Sequence, residues 1–521
     1  MVDGSAAGPP ATNPDPRDRL APALEAGAVT LVALAAFTWR QLPDVGFWDT
    51  AIFQAAPPTL GLTHPTGYPT FNLLGWLWTT LLPLGTAAYE MNLMSAVAGA
   101  LAVGMMFVLA RQLGAGRLAA ASTALACALM VIFWRTAGRA DPHPLHVLLA
   151  LVVIAVLLDW DGGRRPRTLA IAALVFGLGV GNHMLMALLA PVIGIYVVTA
   201  RPSVLREPRT IAASVLALAA GLAVYAYVPI RGAANPAIHY DYAPTTLDLF
   251  LRYVLGRDFA GQMAFFSLAG PGAALDQLPM FWQQLSDAFT GPIAVALVVL
   301  AGLGFGSLLV RRAWRTAWLL GASGGITLYA RLTYQNGDLE RYSLLPVAIL
   351  GILAAVGLHR AWLGLVRDRH GEPVSAGSRP GHPAAALVRA LPALALLVPV
   401  LLVARNADRV QVADARCYVT ELTASAPADA GIVSWWSMAT PIWYAQAVEG
   451  ARPDLTVVSA GSAVVDEIGR FQAAGRPVVI IQLEGEVQRA RDAGFPMEEV
   501  RYCGVTAYRI TGPAGTAAAA P

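Results

Sequence analysis

The residues best suited to chemistry lie in short polar segments between long apolar ones. The first segment is Gly46-Phe47-Trp48-Asp49-Thr50-Ala51-Ile52-Phe53-Gln54, followed by Leu60-Gly61-Leu62-Thr63-His64-Pro65-Thr66-Gly67-Tyr68-Pro69. An acid just after a first transmembrane helix can act as general base toward an acceptor hydroxyl, at the surface where a lipid-linked donor presents its phosphate. Aromatics beside Asp49 suit a membrane interface, and the Pro-Thr-Gly-Tyr-Pro turn can hold His64 and Tyr68 toward a cavity. Capping of the next helix is the other role open to Asp49.

A second acid, Asp141, stands in Arg139-Ala140-Asp141-Pro142-His143-Pro144-Leu145-His146. Two carboxylates from separate connections can divide proton removal from orientation of the acceptor or a metal. Asp141 also fits a helix cap, with His143 and His146 as satisfied interfacial residues. Gly181-Asn182-His183 separates two apolar runs, where a polar pair is costly unless it is hydrogen-bonded or functional, so His183 is a candidate contact. Arg231, in Pro229-Ile230-Arg231-Gly232, offers a planar guanidinium to a phosphate or a lipid headgroup. Arg257 lies in Arg252-Tyr253-Val254-Leu255-Gly256-Arg257-Asp258-Phe259, which reads as an amphipathic interfacial helix. Asp338, Glu340 and Arg341, in Asn336-Gly337-Asp338-Leu339-Glu340-Arg341-Tyr342, build either a polar wall of a site or an internal ion-pair cluster.

These segments must be positioned by a membrane bundle. Of 521 residues, 56% are hydrophobic and 13% charged, with a mean hydropathy of +0.56, whereas a soluble chain carries about 25% charged residues. Apolar runs centre near residues 100, 126, 152, 175, 192, 220, 301, 323, 350 and 394. With a first, uncleaved run at Ala26–Trp39 they give about eleven crossings. All basic side chains besides histidine are arginine, 36 against 33 acids, and alternate connections hold them: Arg111 and Arg117; Arg164, Arg165 and Arg167; Arg201, Arg206 and Arg209; Arg311, Arg312 and Arg315; Arg360, Arg367, Arg369 and Arg379. The positive-inside rule then puts the N-terminus in the cytoplasm and the segments above on the outer face of the membrane.

The expected organisation is a disordered cytoplasmic tail (1–22), a membrane domain (23–403) with long outer connections at 41–89 and 230–290, and a small extracytoplasmic α/β domain (404–521). In the last, Cys417 and Cys503 can pair if the compartment is oxidising, while Cys127 sits in an apolar run. No cysteine spacing suits zinc, and the small positive balance gives no reason to expect nucleic acid.

Taken in order, the Asp49 segment, His64-Pro65-Thr66-Gly67-Tyr68-Pro69, Asn92-Leu93-Met94-Ser95, Gly181-Asn182-His183, Tyr227-Val228-Pro229-Ile230-Arg231, the Asn336–Tyr342 stretch and Arg452-Pro453-Asp454 resemble the bacterial DUF2723 (GT117-type) membrane proteins. This glycosyltransferase family includes a eukaryotic protein O-mannosyltransferase branch. The resemblance implies a GT-C-type fold and transfer of sugar from a polyprenyl-phosphate carrier, with Asp49 as base, Asp141 as second acid and Arg231 on the phosphate. It departs at Ile52, where the family often carries an acid. Direct attack implies inversion at the anomeric carbon. The acceptor is a hydroxyl of a protein, glycan or lipid. A phosphate leaving group makes a metal unnecessary, although two nearby acids are compatible with a divalent ion. A transporter and a non-catalytic envelope scaffold are the competing readings.

Overall fold

The structure is a computed structural model that describes residues 16–163, 165–366 and 390–515. Most of the expected N-terminal tail lies outside those residues, as do Arg164, Arg367, Arg369 and Arg379.

Six helices among the described residues are long and apolar enough to cross a membrane: Ala21–Trp39, Ala87–Gln112, His143–Gly163, Pro208–Ala233, Gly291–Val310 and Leu339–Val366. A seventh arises if Arg117–Ala128 and Val131–Ala137, bent by 70° at their junction, form one broken span. The expected eleven crossings are therefore too many. Apolar runs near 175, 192 and 394 fold into helices of 10–17 residues, short of the ~20 that span a bilayer. The run near 323 becomes Trp314–Leu332, whose apolar character is interrupted by Arg315 and a buried Arg331. Hydropathy reports apolar length, but the breaks are set by packing.

Small residues let the helices approach closely. A Cβ on Gly304 would overlap the carbonyl of Leu353, and one on Gly357 that of Leu300, which draws Gly291–Val310 and Leu344–Val366 together.

The arginine-rich connections gather at one end of the bundle. Arg311 donates to the Leu113 carbonyl, Arg315 pairs with Asp161 at 3.1 Å, and Arg117 faces Glu25 at 3.9 Å. A cavity of about 470 Å³ there is lined by Gln112, Asp159, Arg311 and Thr316. The Asp49 and Asp141 connections adjoin the other ends of these helices: Asp141 directly precedes His143–Gly163, which runs from that end to the cavity.

The C-terminal region carries a five-stranded sheet of order β2-β1-β3-β5-β4. Strands β1 (Gly431–Ser434), β2 (Thr456–Ser459) and β3 (Val478–Ile481) are parallel, while β4 (Met497–Tyr502) and β5 (Val505–Ile510) form an antiparallel pair joined to β3. Both faces of β1 and β3 are buried, as expected for parallel strands covered by helices. Helix Trp436–Glu449 makes the β1–β2 crossover and Val464–Ala473 lies between β2 and β3. Cys417 and Cys503 are disulfide-bonded, tying helix Arg416–Ser425 to the β4–β5 turn.

The two regions share a core. Ile52, Ala55 and Ala88 pack in one apolar cluster with Tyr418, Leu422 and Ile442. Polar ties join the same surfaces: Arg416 bridges Asp44 and Glu449, and Gly46 pairs with Asp414 in an isolated antiparallel bridge.

Candidate active site

Asp49 opens a seven-residue helix, Asp49–Ala55, behind Trp48 at φ 58°. Six residues of that helix are buried. Its Gln54 donates to Asn92 Oδ1 at 2.9 Å, and the same oxygen accepts from the Ala140 amide at 2.7 Å. Asn92 in turn donates to the Leu42 carbonyl, and Ser95 Oγ accepts from the Asp141 amide at 3.0 Å. One turn of helix Ala87–Gln112 thus fixes the relative position of the two acid-bearing connections. All four polar side chains involved or held (Gln54, Asn92, Ser95, Asp141) are buried, so their pairing is strongly specified.

The carboxylates face one guanidinium. Arg341 Nη2 donates to Asp49 Oδ2 at 2.6 Å and Nη1 to Asp141 Oδ2 at 3.3 Å. Asp141 Oδ1 accepts from the His143 amide at 2.9 Å and lies 2.8 Å from His143 Nδ1. Asp338 extends the network, 2.5 Å from Arg139 and 3.9 Å from Arg341. The other oxygen of Asp49, Oδ1, accepts from the indole N–H of Trp436 at 3.0 Å. That indole belongs to the C-terminal region, 387 residues away along the chain.

Burial alone would push both carboxyls up, but the surrounding groups reverse this. His64 and Arg341, with hydrogen bonds from Arg341 and Trp436, hold Asp49 well below the usual carboxylate range. His143 and Arg341, with the His143 hydrogen bond and Arg139, do the same for Asp141. His64 is pushed below the ordinary imidazole value, chiefly by burial.

A histidine-rich wall completes the site. His64 Nε2 lies 3.2 Å from Tyr68 Oη, and the Tyr68 ring stands edge-on to His183. The His143 and His183 ring centres are 4.5 Å apart, with Tyr342 packed on both. His183 Nδ1 accepts from the Leu185 amide. The turn that aims His64 requires glycine: Gly67 has φ +87°, and a Cβ there would lie 2.6 Å from the Tyr253 ring.

Asp49, His64, Tyr68, Asp141, His183, Asp338 and Arg341 therefore come together. Glu340 stands at the edge, 3.8 Å from Arg135. Arg231 and Arg257 have their partners elsewhere: Arg231 Nε donates to the Leu60 carbonyl at 2.6 Å, and Arg257 lies 3.8 Å from Asp248. The helix expected across 252–259 ends at Val254, because Gly256 turns into the left-handed region.

Sequence reasoning left out Trp436, whose only signal is a Trp435-Trp436 pair following a short apolar strand. Ile52 is 3% exposed and packs against the C-terminal region, so a carboxylate there would be buried in apolar contact.

Among the described residues the side chains of Cys417, Glu421 and Cys503 gather closely enough to suggest a metal site. The two sulfurs are joined to each other, which removes the thiolates that metal binding needs. Between Asp49 and Asp141 the positive charge is supplied by Arg341.

The model for the N-terminal domain of the protein O-mannosyl-transferase TMEM260 matches residues 49–206. Over 363 residues the chain is 25% identical to protein O-mannosyl-transferase TMEM260 of Mus musculus, a match that covers 64% of this chain and 50% of that protein. The chain thus spans about half the length of this curated relative. Among solved structures, ArnT from Cupriavidus metallidurans in the apo state superposes with a TM-score of 0.61 at 16% identity, over 94% of this chain and 98% of that one. The fold is of the GT-C type. ArnT bound to undecaprenyl phosphate gives 0.54 at 15% identity, over 95% and 99% of the two chains. An Archaeoglobus fulgidus oligosaccharyltransferase, in complex with Zn and sulfate, gives 0.56 at 15%, over 92% and 72%. Within this GT-C-type chain the matched domain contains Asp49, His64, Tyr68, Asp141 and His183, while Arg341 and Trp436 fall outside it.

Proposed function

We propose that this chain is a membrane glycosyltransferase that moves a sugar from a polyprenyl-phosphate donor to an acceptor hydroxyl on the outer face of the plasma membrane, with inversion. The observation that carries this reading is a pair of carboxylates from separate connections, one half-buried and one buried, held by one guanidinium at the end of the bundle away from the arginine-rich connections. The relation to protein O-mannosyl-transferases and the GT-C-type fold support it. The DUF2723 assignment is the finer form of the same reading.

In this mechanism the acceptor oxygen attacks the anomeric carbon while its proton passes to Asp49. The carbon–oxygen bond to phosphate breaks with its electron pair, leaving polyprenyl phosphate with one more negative charge. Arg341 lies against the base and supplies the cation toward which that charge develops, a role that preorganised donors fill without reorganisation. Asp141 orients Arg341 and fixes His143. His64, Tyr68 and His183 wall the sugar site; Asp338 and Glu340 set the outer edge, with Arg231 near the end of helix Pro208–Ala233 and Arg257 in the connection that follows it. The Cys417–Cys503 bridge suits an oxidising compartment for the C-terminal region, and the arginine pattern supports a cytoplasmic N-terminus.

The test uses purified protein in nanodiscs with a panel of undecaprenyl-phosphate hexoses and pentoses and cell-envelope extract as acceptor. Transfer from one donor, reduced roughly 100- to 10,000-fold in a folded Asp49→Asn variant, is the expected result. Equal transfer by Asp49→Asn and wild type would refute the assignment of the base. Absence of transfer across the panel, with a competent acceptor, would refute the reaction class.

A further inference from the structure

The indole of Trp436 reaches out of the C-terminal region to touch the carboxylate proposed as base. Its orientation is set by a chain of contacts. The ring stands edge-on to Trp443, with centres 5.5 Å apart, and Trp443 Nε1 donates to the Val457 carbonyl on β2. On the opposite side it lies edge-on to His64 at 6.2 Å. Helix Trp436–Glu449 is itself fastened to the Asp49 connection: Thr440 Oγ1 donates to the Trp48 carbonyl at 2.8 Å, the Trp48 amide donates to the Ser437 carbonyl, and Tyr444 Oη accepts from the Ala88 amide at 3.1 Å. Trp436 is thus held at both the sheet and the membrane-bundle side.

Asp49 consequently has its two oxygens assigned to different regions of the molecule. Oδ2 faces Arg341 from the membrane bundle, and Oδ1 faces Trp436 from the sheet-bearing region. Without the indole, the carboxylate can rotate about its Cβ–Cγ bond, a broad two-fold torsion. It would then swing toward the guanidinium and pair with it through both oxygens, the preferred carboxylate–arginine geometry. A base paired in that way presents neither oxygen squarely to an incoming hydroxyl.

We propose that Trp436 is a positioning residue for the transfer reaction. Its N–H holds Oδ1 of Asp49 out of the Arg341 pair and so keeps one oxygen directed toward the acceptor. The C-terminal region is therefore part of the transfer apparatus. This rests on the reading of Asp49 as base, so the test has one arm that needs no substrate.

In that arm the full chain is labelled with 5-fluorotryptophan in nanodiscs, and the resonance of Trp436 is assigned by its loss in Trp436→Phe. It should move in Asp49→Asn and stay in place in Asp466→Asn, a change elsewhere in the same region. A resonance unmoved by Asp49→Asn overturns the proposal. In the second arm, transfer is measured with the undecaprenyl-phosphate sugar that the wild type uses. Trp436→Phe should lower kcat roughly 10- to 100-fold with the donor KM unchanged. The acid limb of its pH profile should move to higher pH, because a hydrogen bond to the charged carboxylate is lost. Trp436→His, which keeps an N–H, should recover part of kcat. An unchanged kcat and pH profile in folded Trp436→Phe overturns the proposal. If the fluorine resonance responds to Asp49→Asn but the wild type transfers nothing across the panel, the transferase reading fails while the Trp436–Asp49 link stands.

Discussion

Replacing Arg341 by glutamine should convert the most tightly paired part of the site into its weakest. Arg341 lies 2.6 Å from one Asp49 oxygen and 3.3 Å from one Asp141 oxygen, with side-chain exposures of 10%, 21% and 1% for the three groups. A pair of charges near 4 Å at an effective dielectric of 20 attracts by about 4 kcal/mol. Losing two such attractions and leaving a buried acid and a half-buried one facing one another is offset in part by no longer having to desolvate the guanidinium. Removal of one partner from a buried ion pair costs about 3–5 kcal/mol in practice, and that is the loss expected near pH 7. In the wild type both carboxyls are held below their unfolded values. Their stabilisation is therefore present above about pH 4 and is lost as pH falls through the folded values. In Arg341→Gln both acids lose that cation and titrate higher than in wild type, so the variant recovers stability relative to wild type as pH falls from 7 toward 4. Equilibrium unfolding in mixed micelles from pH 4 to pH 8 reads this directly. Adding Asp141→Asn to Arg341→Gln should return roughly half of the loss, a coupling that a double-mutant cycle isolates. A cost under about 1 kcal/mol at pH 7, or parallel pH curves for the two proteins, would refute the buried-pair reasoning.

Other outcomes follow from the same geometry. Asn92→Ala should destabilise by about 2–3 kcal/mol, because it strands the Gln54 amide and the Ala140 N–H in a buried place, and it should also lower kcat by disturbing both acids. Chemical denaturation with and without Asn92 measures the first effect and a transfer assay the second. Gly67→Ala forces a Cβ into the Tyr253 ring at a positive φ, and should reduce the yield of folded protein in size-exclusion chromatography far more than Gly337→Ala, where nothing lies within 4 Å. Reducing the Cys417–Cys503 bridge, with a sequence separation of 86, should cost about 4.6 kcal/mol on chain entropy, seen as a lower melting temperature of the C-terminal region in calorimetry. His64 is pushed below its unfolded pKa, so its contribution is full above about pH 6.5 and is lost as pH falls below that value; His64→Gln should flatten the stability curve between pH 5 and 7.

How far the site could be read from the sequence depended on the kind of signal each residue carries. Asp49, Asp141 and Arg341 are charges placed beside apolar runs, and a charge in that setting is conspicuous whatever the final packing. The parallel strands at Thr456–Ser459 and Val478–Ile481 were legible for a related reason, as short apolar segments between turn residues. Arg231 and Arg257 had the same local signature as Arg341, yet their nearest polar partners are the Leu60 carbonyl and Asp248. Only the three-dimensional course of the outer loop separates the three. The crossing count failed where apolar runs fold into helices too short to span, as at Pro166–Asn182 and Met184–Ala200, since hydropathy does not register where a helix will break. Trp436 was hidden because an indole at an element boundary normally signals packing, and nothing nearby in the sequence points to a carboxylate 387 residues earlier.

That separation has a consequence for the order in which the molecule is made. Asp49 emerges early, while Arg341 follows 292 residues later and Trp436 after 387. At roughly 5–20 residues per second, the nascent chain carries Asp49 without its indole for about 20–80 s. Before Arg341 has been made, entering the bundle would desolvate a bare charge. The contacts around Asp49 are thus complete only once Trp436 has been made. A chain that stops before residue 436 holds both acids without the indole that contacts Asp49, and on the transferase reading it should be inactive.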